Sequence, residues 1–138
     1  MIVDWVLWGL WVILVTVMVQ WFVASRFKAA APGAVPGKIS AELSHDSFVF
    51  RAHRTFQNSI ENVPFFAAAV LLAILSGVQS QWFVAWVWLY AIIRIIHMVL
   101  YYVIATEKNP SPRSYFFILG VVANIAVLVQ AAMVLAGA

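Results

Sequence analysis

Apolar residues run almost unbroken over three stretches of the chain, 5–25, 82–105 and 114–136. A helix needs about 20 such residues to cross the hydrocarbon of a bilayer, so each stretch predicts one spanning helix. Residues 47–76 follow another pattern, polar over the first half and apolar over the second. That reads as a longer helix whose polar end projects beyond the membrane core. The expected helices are 3–27, 47–76, 81–106 and 112–136 of one domain spanning 1–138. The fold class is all-α, an integral-membrane four-helix bundle.

The connections differ in kind. "AAAPGAVPGKISAELSHDS" is a Pro/Gly-rich loop, with Asp46 or Ser47 as cap of the second helix. "SGVQSQ" is a tight uncharged hairpin, and "ATEKNPSP" is short and polar. The first apolar run does not read as a signal peptide. Asp4 stands where a basic start is usual, and the run is too long, so it is expected to be a retained helix.

Composition sharpens the membrane reading. The chain of 138 residues is 65% hydrophobic and 9% charged, against about 25% charged in soluble domains. The cations supply an orientation. Arg26, Lys28, Lys38, Arg51, Arg54, Lys108 and Arg113 all fall on one side of the four spans. The positive-inside rule places both loops of that side in the cytoplasm and both termini outside. Trp5, Trp8, Trp82 and Trp86 sit at the other side, as an interfacial aromatic belt requires. The compact loops point to the inner membrane of a bacterium. No nucleic-acid partner is expected. Cysteine is absent, so any thiol chemistry must use a thiol brought by a ligand.

Against this background the stretch "RAHRTFQNSIENVPFF" stands out, with Arg51, Arg54, Gln57, Asn58 and Glu61 entering an apolar run. Arg51, Arg54, Asn58 and Glu61 advance by three, four and three positions, which keeps them on one helical face. Arg94, His97 and Tyr101 repeat the spacing in the third helix. Unpaired charge in hydrocarbon is expensive, so two such stripes are expected to face each other. Counting outward from the hairpin puts Glu61 and Arg94 each about 20 Å along its helix. The same count predicts a deep Glu61–Arg94 ion pair, Asn58 beside His97, and Arg54 beside Tyr101. A polar cleft is expected above the pair, toward the cytoplasm. Alone, Glu61 and Arg94 read equally well as structural glue that fixes helix register. The whole set carries more donors than one carboxylate satisfies, which suggests an anionic ligand. A metal site is not expected, because no second histidine or carboxylate stands at ligand spacing beside His97.

"NPSPRSYFF" reads as a helix start, with Ser111 as N-cap and Pro112 in the first position. Free N–H groups and the dipole then face the loop side, joined by the Arg113 cation and the Ser114 hydroxyl. Such a place would stabilise a thiolate, lowering a thiol pKa from about 8.5.

The pattern Arg-x-x-Arg-x-x-x-Asn-x-x-Glu-x-x-Pro, formed by Arg51, Arg54, Asn58, Glu61 and Pro64, resembles the signature of the MAPEG family, membrane-associated proteins in eicosanoid and glutathione metabolism. "RIIHMVLY" and "PRSYFF" resemble its microsomal prostaglandin E synthase and glutathione transferase branch. The resemblance implies a homotrimer with glutathione bound between neighbouring subunits. It implies glutathione contacts from Arg54, Asn58, Glu61, His97 and Tyr101, and thiol activation by Arg113 and Ser114. Arg26 would come from the neighbouring subunit. Arg51 and Arg94 of the two stripes, and Gln57 of the same polar stretch, are expected to line the same site. Thr55, Phe56 and Gln57 depart from the branch's pattern, and the loop before Arg113 is about three residues longer.

The implied activity is a glutathione-dependent transferase acting on a lipophilic electrophile that arrives from membrane lipid between helices 1 and 4. Peroxidase or isomerase chemistry would use the same activated thiol. Two other classes fit four short helices: a proton-coupled multidrug transporter with Glu61 as its titrating acid, and a non-catalytic scaffold of the same fold.

Overall fold

The structure is a computed structural model that describes residues 1–137. Four helices follow in order: α1 (Ile2–Ala29), α2 (Phe48–Ser76), α3 (Gln81–Val103) and α4 (Pro112–Leu135). Each is long and apolar enough to cross a membrane, and the chain is an integral multi-pass membrane bundle.

Local chemistry explains where the helices stop. α2 ends at Gly77, whose φ of 86° lies in the left-handed region that a side chain disfavours. The Gly77 N–H donates to the Ile74 carbonyl and the Val78 N–H to the Ala73 carbonyl, both at 3.0 Å. These two bonds satisfy carbonyls that the helix leaves free. The Ser80 hydroxyl accepts the Trp82 N–H at 3.1 Å and so starts α3. Ser111 and Ser114 form a capping box with Pro112 between them. α3 ends at Val103, three residues before the expected 106. There Arg51 Nε donates to the Tyr102 carbonyl at 3.3 Å, satisfying one of the acceptors the helix end exposes.

α1 packs on α2 and α3, and α4 packs on the same two from the opposite side, while α2 and α3 also touch. Among the described residues α1 and α4 make no contact. A route for the electrophile between α1 and α4 of one chain is therefore ruled out. The core lies on the hairpin side of the bundle, around Val6, Ile13, Phe66, Val70, Phe83, Val87 and Val127. Phe66 and Tyr90 stack face to face with centroids 3.6 Å apart, joining α2 to α3. α1 meets α3 closely at Gly9, where a Cβ would lie 2.7 Å from Val87 Cγ1.

Candidate functional site

At the loop end the packing changes from apolar to hydrogen-bonded. Arg94 of α3 is 3% exposed and reaches across to α2. Its Nη1 donates to Asn58 Oδ1 at 2.8 Å and its Nη2 to Ser59 Oγ at 2.7 Å. The Ser59 hydroxyl donates in turn to Gln20 Oε1 of α1. One guanidinium thus links three helices through neutral acceptors. The expected Glu61–Arg94 ion pair is not formed: Glu61 is exposed on α2 and makes no salt bridge among the described residues. The pairing sits one turn away from the sequence estimate, with Asn58 opposite Arg94 instead of His97. Arg51 lies beside Tyr102, whereas Arg54 was expected beside Tyr101. Counting from the hairpin treats both helices as upright and level, and a modest tilt of one moves the match by a turn.

The consequence for Asn58 is specific. Because its Oδ1 accepts from Arg94, its NH2 group is left as the donor. Asn58 lines a cleft of about 560 Å³ together with His97, Tyr101, Lys108, Arg113 and Ser114, among others. His45, from the α1–α2 loop, forms part of the same wall. Phe117 and Ile118 of α4 extend it along the bundle. Both are exposed on the outer face of α4, so the cleft opens toward lipid beside that helix.

Arg113 is the best-placed cation. It is 7% exposed, and its guanidinium carbon stands 4.2 Å from the centroid of the Tyr101 ring. Its Nη2 donates to the Thr106 carbonyl at 3.0 Å and its Nε to Ser111 Oγ at 3.3 Å. Its Nη1 is buried without a partner, as is His97 Nδ1. A buried unsatisfied charged donor such as Arg113 Nη1 is costly, and with the unpartnered His97 nitrogen in the same wall it marks where a ligand's polar groups would sit. Ser114 Oγ accepts the Ser111 N–H at 3.1 Å and lies 3.4 Å from Ser111 Oγ, a long contact from which its proton can turn toward a ligand. No acidic side chain lines this cleft among the described residues.

The other predicted residues lie elsewhere. Arg51 is at the rim, its Nη1 donating to the carbonyls of His45 at 2.6 Å and Asp46 at 2.9 Å. It fastens the loop and leaves the cleft wall to others. Arg94 stands behind Asn58, outside the lining. Arg54 and Gln57 are half-buried on α2 and do not line the cleft, and Arg26 is exposed on α1. His45, Lys108 and Asn109 are lining residues that sequence reasoning missed. Their loops meet only in three dimensions, so no periodicity announces them. Gln20 was legible as a lone amide within the first apolar run, where an unpaired polar group is expensive.

His45 is held on three sides. Its backbone N–H donates to Glu107 Oε1 at 2.9 Å, its Nδ1 lies 2.8 Å from the same oxygen, and its Nε2 is 3.2 Å from the Tyr101 hydroxyl. The backbone N–H and then the ring of His45 hold the Glu107 carboxyl below the usual carboxylate range. A second hollow of about 530 Å³ lies at the hairpin end between Trp82, Trp86 and Met133, and no charged residue lines it. The chemistry therefore belongs to the loop end.

Four apolar helices with a cationic cleft at one end define a membrane-embedded bundle. The chain belongs to the MAPEG family, whose model matches residues 5–133. That is a family of glutathione-related membrane transferases and isomerases which also includes non-catalytic members. No curated protein and no solved structure matched the chain.

Proposed function

We propose that the protein is a glutathione-dependent membrane transferase that ionises the glutathione thiol beside Arg113. The observation that carries this reading is the buried, unpartnered Nη1 of Arg113 at the start of α4, in one cleft with Asn58, Tyr101 and Ser114. Glutathione supplies the nucleophilic sulfur. Arg113, the Ser114 proton and the free N–H groups of the helix start stabilise negative charge on it. The Asn58 NH2, Lys108 and His97 offer donors to its carboxylates. Phe117 and Ile118 provide the apolar surface along which a lipophilic electrophile reaches the sulfur from the bilayer.

The assembly is proposed to be a homotrimer. Glu61 is a carboxylate on a helix face that is otherwise Ile60, Phe65, Leu71 and Leu72, and an ionised carboxylate facing lipid is expensive. A neighbouring copy would cover it, bring Arg26 to the site, and let Glu61 meet the glutathione ammonium. The proposed location is a bacterial inner membrane with both termini outside the cytoplasm, on the asymmetry of the basic residues.

The test is conjugation of glutathione to a chlorinated nitrobenzene by purified protein. Arg113→Ala is expected to lower kcat/KM about 100-fold, the usual cost of losing one charge-stabilising donor. Equal rates for the two proteins would remove the assignment. The unpaired Glu61 also suits a proton-coupled transporter. Dye export from vesicles that is driven by a pH gradient and indifferent to glutathione would favour that second reading.

A further inference from the structure

The α1–α2 and α3–α4 loops meet at His45, and the contact is built from groups that conduct protons. Glu107 Oε1 lies 2.8 Å from His45 Nδ1, an ion-pair distance whose angle falls short of a hydrogen bond; a ring proton on Nδ1 faces that carboxylate and leaves a lone pair on Nε2. Nε2 faces the Tyr101 hydroxyl at 3.2 Å. Tyr101 in turn lies under the Arg113 guanidinium, inside the cleft. The line Glu107–His45–Tyr101 therefore runs from the exposed loop surface to the place proposed for the sulfur. Arg51 grips the His45 and Asp46 carbonyls and the Tyr102 carbonyl, which holds loop and helix end in register. The ring of Phe50 packs edge-on against the imidazole with centroids 5.0 Å apart.

From this geometry we infer that His45, oriented by Glu107 and acting through Tyr101, is the exit route for the thiol proton. The inference rests on the transferase reading. Ionising a thiol in a cleft walled by helices requires that its proton leave. The S–H bond breaks and the proton passes to the Tyr101 oxygen, while the Tyr101 O–H proton passes to His45 Nε2. The sulfur keeps the electron pair opposite Arg113. The resulting imidazolium gives its Nδ1 proton to water by way of the Glu107 carboxylate at the exposed loop, and exchange with water then returns the ring's remaining proton from Nε2 to Nδ1, which restores the starting state. The charged groups around His45 are Glu107 on the α3–α4 loop and Arg51 on α2, with Lys108, Arg113 and His97 sharing the cleft.

Rapid mixing of purified protein with glutathione, in weak buffer containing a pH indicator, reads the route directly. Thiolate absorbance and proton release should rise together in the wild type. His45→Gln keeps an acceptor for the Tyr101 hydroxyl but cannot carry a proton. At saturating glutathione it is expected to slow both signals about 100-fold, as loss of a general base does, while the thiolate level finally reached stays that of the wild type. If His45→Gln does not fold, Tyr101→Phe interrupts the same line while keeping the ring under Arg113, and the same slowing is expected. Nitrogen NMR of the protein without glutathione should find the neutral His45 ring protonated on Nδ1 in the wild type. A ring protonated on Nε2 overturns the inference. Thiolate that forms equally fast in wild type and variants overturns the relay alone. Absence of any thiolate in the wild type overturns the transferase reading and the relay with it.

Discussion

Arg94 decides how Asn58 presents itself, and that is a residue-scale matter with a measurable outcome. Its two donors to Asn58 and Ser59 fix an amide that could otherwise turn either way. Ser59→Ala removes one acceptor from a buried guanidinium and leaves the Gln20 amide oxygen unpartnered. Loss of a hydrogen bond to a buried charge costs about 1.5–3 kcal/mol, so thermal unfolding in detergent should shift downward by that amount. Asn58→Asp would instead place a carboxylate against Arg94, removing the NH2 donor from the cleft. Glutathione affinity measured by calorimetry is expected to fall about tenfold or more, as loss of a charge-assisted donor implies, while unfolding is little changed. An Asn58→Asp protein that binds glutathione as well as the wild type would show that the amide does not touch the ligand.

At the scale of elements, two contacts carry predictions. α1 meets α3 at Gly9, where Val87 is stiff at its branched Cβ and cannot turn aside. Gly9→Ala must push the helices apart, and overpacking of this kind costs about 1–3 kcal/mol. Steric trapping or thermal unfolding should register it, and an unchanged midpoint would mean that α1 slides freely past Val87. The loop tie at Glu107 responds to pH. Its carboxyl is held below the usual range by the His45 backbone N–H and ring, so its contribution is fully present above an ordinary carboxylate pKa of about 4.3. It is lost as pH falls through the lowered value. Amide exchange protection at 43–47 should drop on that acid step in the wild type and show no step in Glu107→Gln. These elements also show how far a sequence can be read. The spans and the Ser111 helix start follow from local patterns, because hydropathy and caps act within a few residues. The register between α2 and α3 does not, since tilt is decided by packing on α1 and α4. Glu61 shows it: helical spacing placed it opposite Arg94, and one turn of offset puts Asn58 there instead. His45 was invisible for a related reason, its partners Tyr101 and Glu107 lying far along the chain.

For the whole molecule, the placement of two arginines gives the proposed trimer a test that does not depend on measuring its mass. Arg113 is buried in the cleft, whereas Arg26 is exposed near the end of α1 and shares no contact surface with α4. Within a single chain Arg26 does not line the cleft, so if both arginines serve one site the proposed trimer has them come from different copies. Arg26→Ala and Arg113→Ala should each abolish most conjugation when assembled alone. Coexpressed in equal amounts, they would generate sites in which an intact Arg113 faces an intact Arg26 from its neighbour. Random mixing in a cyclic oligomer makes about one site in four intact, so about a quarter of wild-type activity should return. Mixing the two proteins after separate purification should restore none unless subunits exchange. Failure of the coexpressed pair to recover any activity, with both variants shown to co-assemble, would confine the site to one chain and leave exposed Glu61 to be explained by something other than a neighbouring subunit.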